Sequence, residues 1–176
     1  SDEIIFTCGG TESDNLGILG ASRANKSKGK HIITLKTEHH AVLHAFDALK
    51  KEGFETTLVD VDSEGFVDLK KLSAALKEDT ILISVAYANN EIGAIQPLQE
   101  IAKIIREHRR RYNSKFPLFH TDAIQAAGYI ELNVEKLGVD LMSLNGSKIY
   151  GPKGIGALYI RRGVNVEPVI YGGGRY

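Results

Sequence analysis

Two lysines lie in the glycine-rich stretch "LNGSKIYGPKGIG", residues 144–156. Such a stretch can hold phosphate through backbone amides, or one of its lysines can do covalent chemistry. A nucleotide phosphate loop needs G-x-x-x-x-G-K-[ST]. Gly146 and Gly151 have that spacing, but Pro152 stands where the lysine belongs and removes an amide. The dinucleotide pattern G-x-G-x-x-G fails too, because "GPKGIG" runs its spacing backwards. Lys148 is left, beside Ser147 and just after the apolar run "DLMSL". A lysine in a partly desolvated pocket loses its charge readily and forms Schiff bases. A solvated loop residue is the competing reading for Lys148, and the simpler one for Lys153.

Other polar groups admit paired readings. "GGTES" puts Gly10 and Thr11 at a helix start, where free amides and the helix dipole suit an anion, or where a glycine turn and a helix cap suffice. Thr11 and Asp14 have the spacing of a capping box. Asp122 and Gln125 open a short helical segment. The carboxylate can hold a protonated pyridine ring nitrogen, or cap the segment. One oxygen cannot do both. His39 and His40 precede a helix, with His44 one turn beyond His40. They suggest either an acid–base group over a planar cofactor or, with His120 and Asp122, a metal hydrolase site. Asn89 and Asn90, before Glu91 and Gly93, suit a local turn.

These groups must be positioned by the elements between them. Strand-like runs ("EIIFTC", "HIITLK", "FETTLVDV", "TILISVAYA", "PLFHT", "DLMSL", "IGALYI") alternate with helical patterns. The longest helix, "LQEIAKIIREHRRR", puts Leu98, Ile101, Ile104 and Ile105 on one face. This order predicts one α/β domain, a three-layer α/β/α arrangement around a mostly parallel sheet. Ligands in such sheets sit beyond the carboxyl ends of the strands. "CGGTES", "TEHH", "NNE", "HTDAIQ" and "NGSK" each follow a strand, so all are expected on one edge.

Composition narrows the class. Of 176 residues, 43% are hydrophobic and 25% charged, as in soluble globular proteins. Lys+Arg and Asp+Glu both number 22, which argues against a nucleic-acid or anionic-membrane binder driven by bulk charge. The basic run at residues 106–115 ends a helix, where cations suit the dipole. The one cysteine, Cys8, allows no intrachain disulfide and fits a reducing, cytoplasmic setting. No apolar run reaches the length of a membrane span.

Together, "FTCGGTESDNL", "TEHHAVL", "ANNEIGAIQPL", "HTDAIQAAG" and "GSKIYGPKGIGALYIRR" resemble the successive motifs of the cysteine desulfurases of NifS and IscS type. These are class V aminotransferases of pyridoxal-phosphate (PLP) fold type I, the aspartate aminotransferase fold. The resemblance runs in order over nearly the whole chain. It implies that Lys148 joins PLP covalently, that Asp122 pairs with the pyridine nitrogen, and that Gln125 bonds the ring hydroxyl oxygen. His39 would stack on the ring and move protons. Gly10, Thr11 and Ser147 would hold the phosphate, and Asn90 would face the ring hydroxyl and substrate. The implied reaction converts L-cysteine to L-alanine and leaves the sulfur on an enzyme cysteine. From there it passes to a sulfur-acceptor or scaffold protein for iron–sulfur cluster or thio-cofactor assembly. Family members are homodimers.

The sequence departs from the family at three places. Asn145-Gly146-Ser147-Lys148 stands where Ser-Gly-His-Lys is usual, losing a ring contact but keeping a hydroxyl for phosphate. Cys8 takes the place of a usual serine and reads as a small buried residue, not as the sulfur carrier. The chain stops at "YGGGRY", before the segment that reaches a partner subunit's phosphate, the catalytic cysteine, the carboxylate-binding arginine and the small domain. Residues 1–176 are therefore expected to be a PLP-binding large domain cut at both ends, with little or no turnover alone. The rivals are a selenocysteine lyase, which shares this scaffold, a non-catalytic PLP-fold binding module, and the metal hydrolase.

Overall fold

The β-branched and leucine-rich runs form strands because extended backbone suits their stiff side chains and buries them on both faces of a sheet. The computed structural model describes residues 2–172. Strand β1 (Ile4–Thr7) leads into helix α1 (Gly10–Asn15), which continues through a π-turn (Leu16–Gly20) into α2 (Ala21–Ala24). Then follow β2 (His31–Leu35), α3 (His40–Lys51), β3 (Glu55–Val59), α4 (Leu69–Ala75) and β4 (Thr80–Ser84). The chain goes on through α5 (Leu98–Arg111), β5 (Leu118–Asp122), α6 (Val134–Leu137), β6 (Leu141–Asn145), a 3₁₀ turn (Gly146–Lys148) and β7 (Gly156–Ile160). The last residues of "YGGGRY", 173–176, lie outside the described residues.

The sheet runs in the order β1-β7-β6-β5-β4-β2-β3. The pairs from β3 to β6 are parallel, and β7 is antiparallel to both β6 and β1. Two reversals cancel, so β1 points the same way as β6. Side chains alternate between two cores. Ile33, Leu35, Ile83, Phe119 and Met142 join α4, α5 and α6 on one face. Ile32, Leu82, Leu118 and Leu141 join the π-turn, α2 and α3 on the other. The three-layer, mostly parallel expectation therefore holds. After β2 the chain steps outward to β3 and then returns to β4 on the other side, which opens a crevice at that reversal.

Some local details differ from expectation. Helix α1 begins at Gly10 after Gly9, with no side-chain cap. Thr11 therefore lies inside the first turn, and no capping box forms. Instead the Cys8 amide donates to Glu12 Oε2 at 2.6 Å. Residues 124–129 form successive turns, not a helix, closed by the Ala126 and Ala127 amides on the Ala123 carbonyl. On α5, Leu98, Ile101 and Ile105 are buried, whereas Ile104 is only half covered. In the basic run, Arg109 turns inward to the Pro117 carbonyl and Asp140.

Gly156 opens β7, opposite Thr7 on β1 and Asn145 on β6. A Cβ at this position would lie 2.7 Å from the Gly9 carbonyl carbon and 2.9 Å from its Cα. Glycine is what lets the β1–α1 loop fit against the end of β7. Gly156→Ala is expected to push that loop away and to cost about 1–3 kcal/mol, as overpacking does. Urea unfolding measures it, and an unchanged midpoint would mean that the loop yields freely.

Candidate active site

The carboxyl ends of β1, β2, β4, β5 and β6 border one cleft of about 670 Å³. All five polar clusters contribute to it: Gly10 and Thr11, His39, Asn90, Asp122 with Gln125, and Ser147 with Lys148 line its walls. Lys153 lines it as well. The sheet direction alone produces this gathering, since each group is the first polar residue after a strand or close to it.

At the β1 end, the first turn of α1 presents the amides of Gly10, Thr11 and Glu12, which have no backbone acceptor among the described residues. The first residue to close a backbone bond is Ser13, onto the Gly9 carbonyl at 3.1 Å. Ser147 stands exposed in the same cleft, its amide facing the Asn145 side chain at 3.3 Å. Three free amides, the helix dipole and a hydroxyl make a fitting seat for a phosphate group.

Asp122 ends β5 and is nearly buried. Its Oδ1 accepts the Ile124 amide at 2.8 Å, and no hydrogen bond from the described residues engages Oδ2. The two competing uses of this carboxylate thus fall on different oxygens. Burial pushes its pKa up, while the Ile124 amide and His39 pull the other way. His39 caps α3, with Nδ1 accepting the Ala41 amide at 3.1 Å. The imidazole proton therefore sits on Nε2, the nitrogen left for chemistry. Asn89 is the turn-former of its pair. Its Oδ1 accepts the Glu91 and Ile92 amides and its Nδ2 donates to the Thr37 carbonyl. Asn90 is exposed in the cleft with no such duty.

Two expectations are corrected, and the rival metal reading loses a residue. Lys148 is exposed, not desolvated, because the short 3₁₀ turn carries it out past the end of β6, where these residues wall only one side. Cys8 is exposed, not buried, since it follows β1 at the open edge of the sheet. The Glu12 carboxylate pushes its thiol pKa up, which disfavours a reactive thiolate. His120 is wholly buried, with Nδ1 on the Ser84 hydroxyl at 2.8 Å and Nε2 on the Ser143 hydroxyl at 3.0 Å. Both ring nitrogens are used, so His120 cannot serve the metal reading. Among the described residues no three His, Cys, Asp or Glu side chains gather to hold an ion.

Two cleft residues were not read from the sequence as part of the site. Asp14 is fully buried, with neither carboxyl oxygen hydrogen-bonded. Glu38 is buried too, with Oε1 accepting the Ala86 amide at 2.8 Å and Oε2 unpartnered. For Asp14 a signal existed: it lies four residues before Ile18, on the apolar side of its helix. Glu38 sits in a loop, where periodicity says nothing.

A family model described as "Aminotransferase class-V" matches residues 1–176. Over 173 residues the chain is 57% identical to a "Cysteine desulfurase IscS" of Dictyoglomus turgidum, covering 98% of this chain and 42% of that protein. A solved "NIFS-LIKE PROTEIN" superposes with a TM-score of 0.91 at 40% identity, covering 98% of this chain and 46% of that one. The structure "SspA in complex with cysteine" follows with a TM-score of 0.88 at 37% identity, over 98% of this chain and 48% of that one. The chain spans less than half the length of each of these relatives.

Burial holds His120 neutral, with its pKa lowered to about 3. In the unfolded chain the same imidazole takes a proton below its ordinary 6.5, so acid favours unfolding between about 6.5 and about 3. His120→Asn is expected to lower stability at pH 7 and to flatten its decline over that acid range. Thermal unfolding at a series of pH values measures the slope. An unchanged slope would mean that His120 is not held neutral.

Proposed function

The chain belongs to the class V aminotransferase family, and from that premise we propose that it is the PLP-binding large domain of a cysteine desulfurase. The observation that carries this reading is one cleft in which Asp122 keeps a free carboxylate oxygen and Lys148 stands on the turn after β6. The donor set fits PLP: an amide-rich helix start for phosphate, a carboxylate for a ring nitrogen, and an amine for a carbonyl carbon.

When bound, PLP supplies a protonated heteroaromatic ring that draws electrons from bonds at the substrate's α-carbon. The chain's own groups do the rest. Lys148 would attach the cofactor through its Nζ. Asp122 Oδ2 would take the ring nitrogen's proton as a hydrogen-bond partner. The Gly10 and Thr11 amides and the Ser147 hydroxyl would hold the phosphate, while Gln125 and Asn90 would orient the ring hydroxyl side. His39, its Nδ1 fixed by the Ala41 amide, holds or moves a proton at Nε2. The high thiol pKa of Cys8 agrees with a sulfur-accepting cysteine elsewhere in the longer protein.

The substrate under this reading is L-cysteine, converted to L-alanine with its sulfur passed to an enzyme cysteine outside this chain. The relative solved with cysteine, and the curated desulfurase, support that choice over selenocysteine. The working protein would be a cytoplasmic homodimer that hands sulfur to an acceptor or scaffold protein for iron–sulfur cluster or thio-cofactor assembly. The small domain would lie in the part of the relatives that this chain does not span. No helix among the described residues is long and apolar enough to cross a membrane.

The test is PLP at saturating concentration, followed by borohydride and peptide mass analysis. Reduction is expected to fix the cofactor on Lys148. The adduct is expected to vanish in Lys148→Ala and to persist in Lys153→Ala. An adduct on Lys153, or none on either lysine, would overturn the assignment.

A further inference from the structure

The cleft has three buried carboxyl groups in its lining, from three different elements. Asp14 comes from α1, Glu38 from the turn after β2, and Asp122 from the end of β5. Asp14 is 0% exposed, and Glu38 and Asp122 are each 7% exposed. Three carboxylates cannot all be ionised so close together with so little water. Burying one unpaired charge costs several kcal/mol, and each further like charge adds repulsion. The groups around them therefore decide which one keeps its charge.

Asp122 has the strongest claim. Its Oδ1 takes an amide hydrogen at 2.8 Å, and Oδ2 is left for a cation in the cleft. Glu38 has one donor, the Ala86 amide, and an unpartnered Oε2. Asp14 closes no full hydrogen bond at either oxygen, and only the Ser143 hydroxyl stands near enough to ease it. The nearest base, His120 Nε2, lies 3.9 Å from Asp14 Oδ1. It is already bonded to Ser143 and is held neutral by burial, so it offers no counter-charge. The Ser143 hydroxyl eases Asp14 only in part, against burial and the charges of Asp122 and Glu38. Lys148 and Lys153 stand on the exposed side of the cleft.

We propose that Asp14 and Glu38 are held as neutral carboxylic acids in the wall of the cleft, leaving Asp122 as the one anion among these three buried groups. They are positioning residues: by keeping their protons they let Asp122 ionise and present one negative charge to the ring nitrogen. The unpartnered oxygens are then explained, because an acid group tolerates a dry wall far better than a carboxylate. The order of ionisation follows from the donors: Asp122 first, Glu38 with a pKa raised to about 8 by burial, and Asp14 above its ordinary range. The part concerning the ring nitrogen rests on the function proposed above. The protonation states do not, and they are tested without cofactor.

Infrared difference spectra of the cofactor-free chain near neutral pH are expected to contain two protonated-carboxyl C=O bands. Asp14→Asn should remove one and Glu38→Gln the other, while Asp122→Asn should remove neither. The Glu38 band should fade with a midpoint of about 8. Stability gives a second readout. The Glu38 pKa is higher folded than unfolded, so its contribution is full below about 4.5 and is lost as pH rises through about 8. Above pH 6.5, where the buried histidines no longer change charge between states, the melting temperature should fall with rising pH. In Glu38→Gln that fall should be smaller. If a variant fails to fold, carboxyl carbon NMR of the unaltered chain gives the same titration. A band removed by Asp122→Asn, two bands surviving Asp14→Asn, or a Glu38 midpoint near 4.5 would overturn the proposal. Failure of PLP to attach to Lys148 would leave these spectra unchanged, so the two readings fail separately.

Discussion

The antiparallel strand β7 holds the architecture of the cleft together. By pairing with β6 on one side and β1 on the other, it reverses direction twice and returns β1 to the heading of the parallel strands. Without that double reversal the start of α1 would lie at the opposite edge from Asp122 and Lys148. The sheet fixes direction because backbone hydrogen bonding admits only parallel or antiparallel neighbours. Gly156 sits where this arrangement is tightest, pressed against Gly9 at the first residue of β7. One hydrogen-bonded ribbon thus brings an anion seat from the first residues of the chain to a lysine nearly a hundred and forty positions later.

Electrostatics inside the cleft then follow from where water is excluded. The same parallel strands that aim polar groups at one edge also bury whatever lies just beneath it. His120, two strand residues deeper than Asp122, is neutral and serves as a hydrogen-bonded strut between Ser84 on β4 and Ser143 on β6. Asp122 is at the boundary, with one oxygen satisfied by the Ile124 amide and the other open. A spacing of two residues on one strand separates a structural histidine from a carboxylate that can meet a ligand, because strand residues i and i+2 share a face but not a depth.

Much of this was legible in the sequence. The alternation of apolar runs with amphipathic stretches implies the three-layer sheet, and the rule of strand ends gathers Gly10, His39, Asn90, Asp122 and Lys148 at one edge. Pro152 excluded a nucleotide loop by a purely local argument. Errors arose wherever the answer depended on what covers a side chain. Thr11 has the spacing of a cap, yet Glu12 satisfies the Cys8 amide and the helix starts a residue earlier. Cys8 is a residue type that is usually buried, yet it lies at an open edge. His120 has the type of a metal ligand, but its neighbours across the sheet already claim both nitrogens.

The sequence by itself determined the order of elements, the mostly parallel class of the sheet and the identity of the groups that meet at its edge. These depend on local periodicity and on hydrogen-bond geometry, which short stretches of chain carry with them. Only the tertiary structure decided exposure: that Lys148 stands free, and that Asp14 and Glu38 are sealed in the cleft wall. Burial is a property of the residues packed around a group, and those arrive from distant parts of the chain. The charge of a carboxyl group depends on that burial, so it cannot be read from the residue's name.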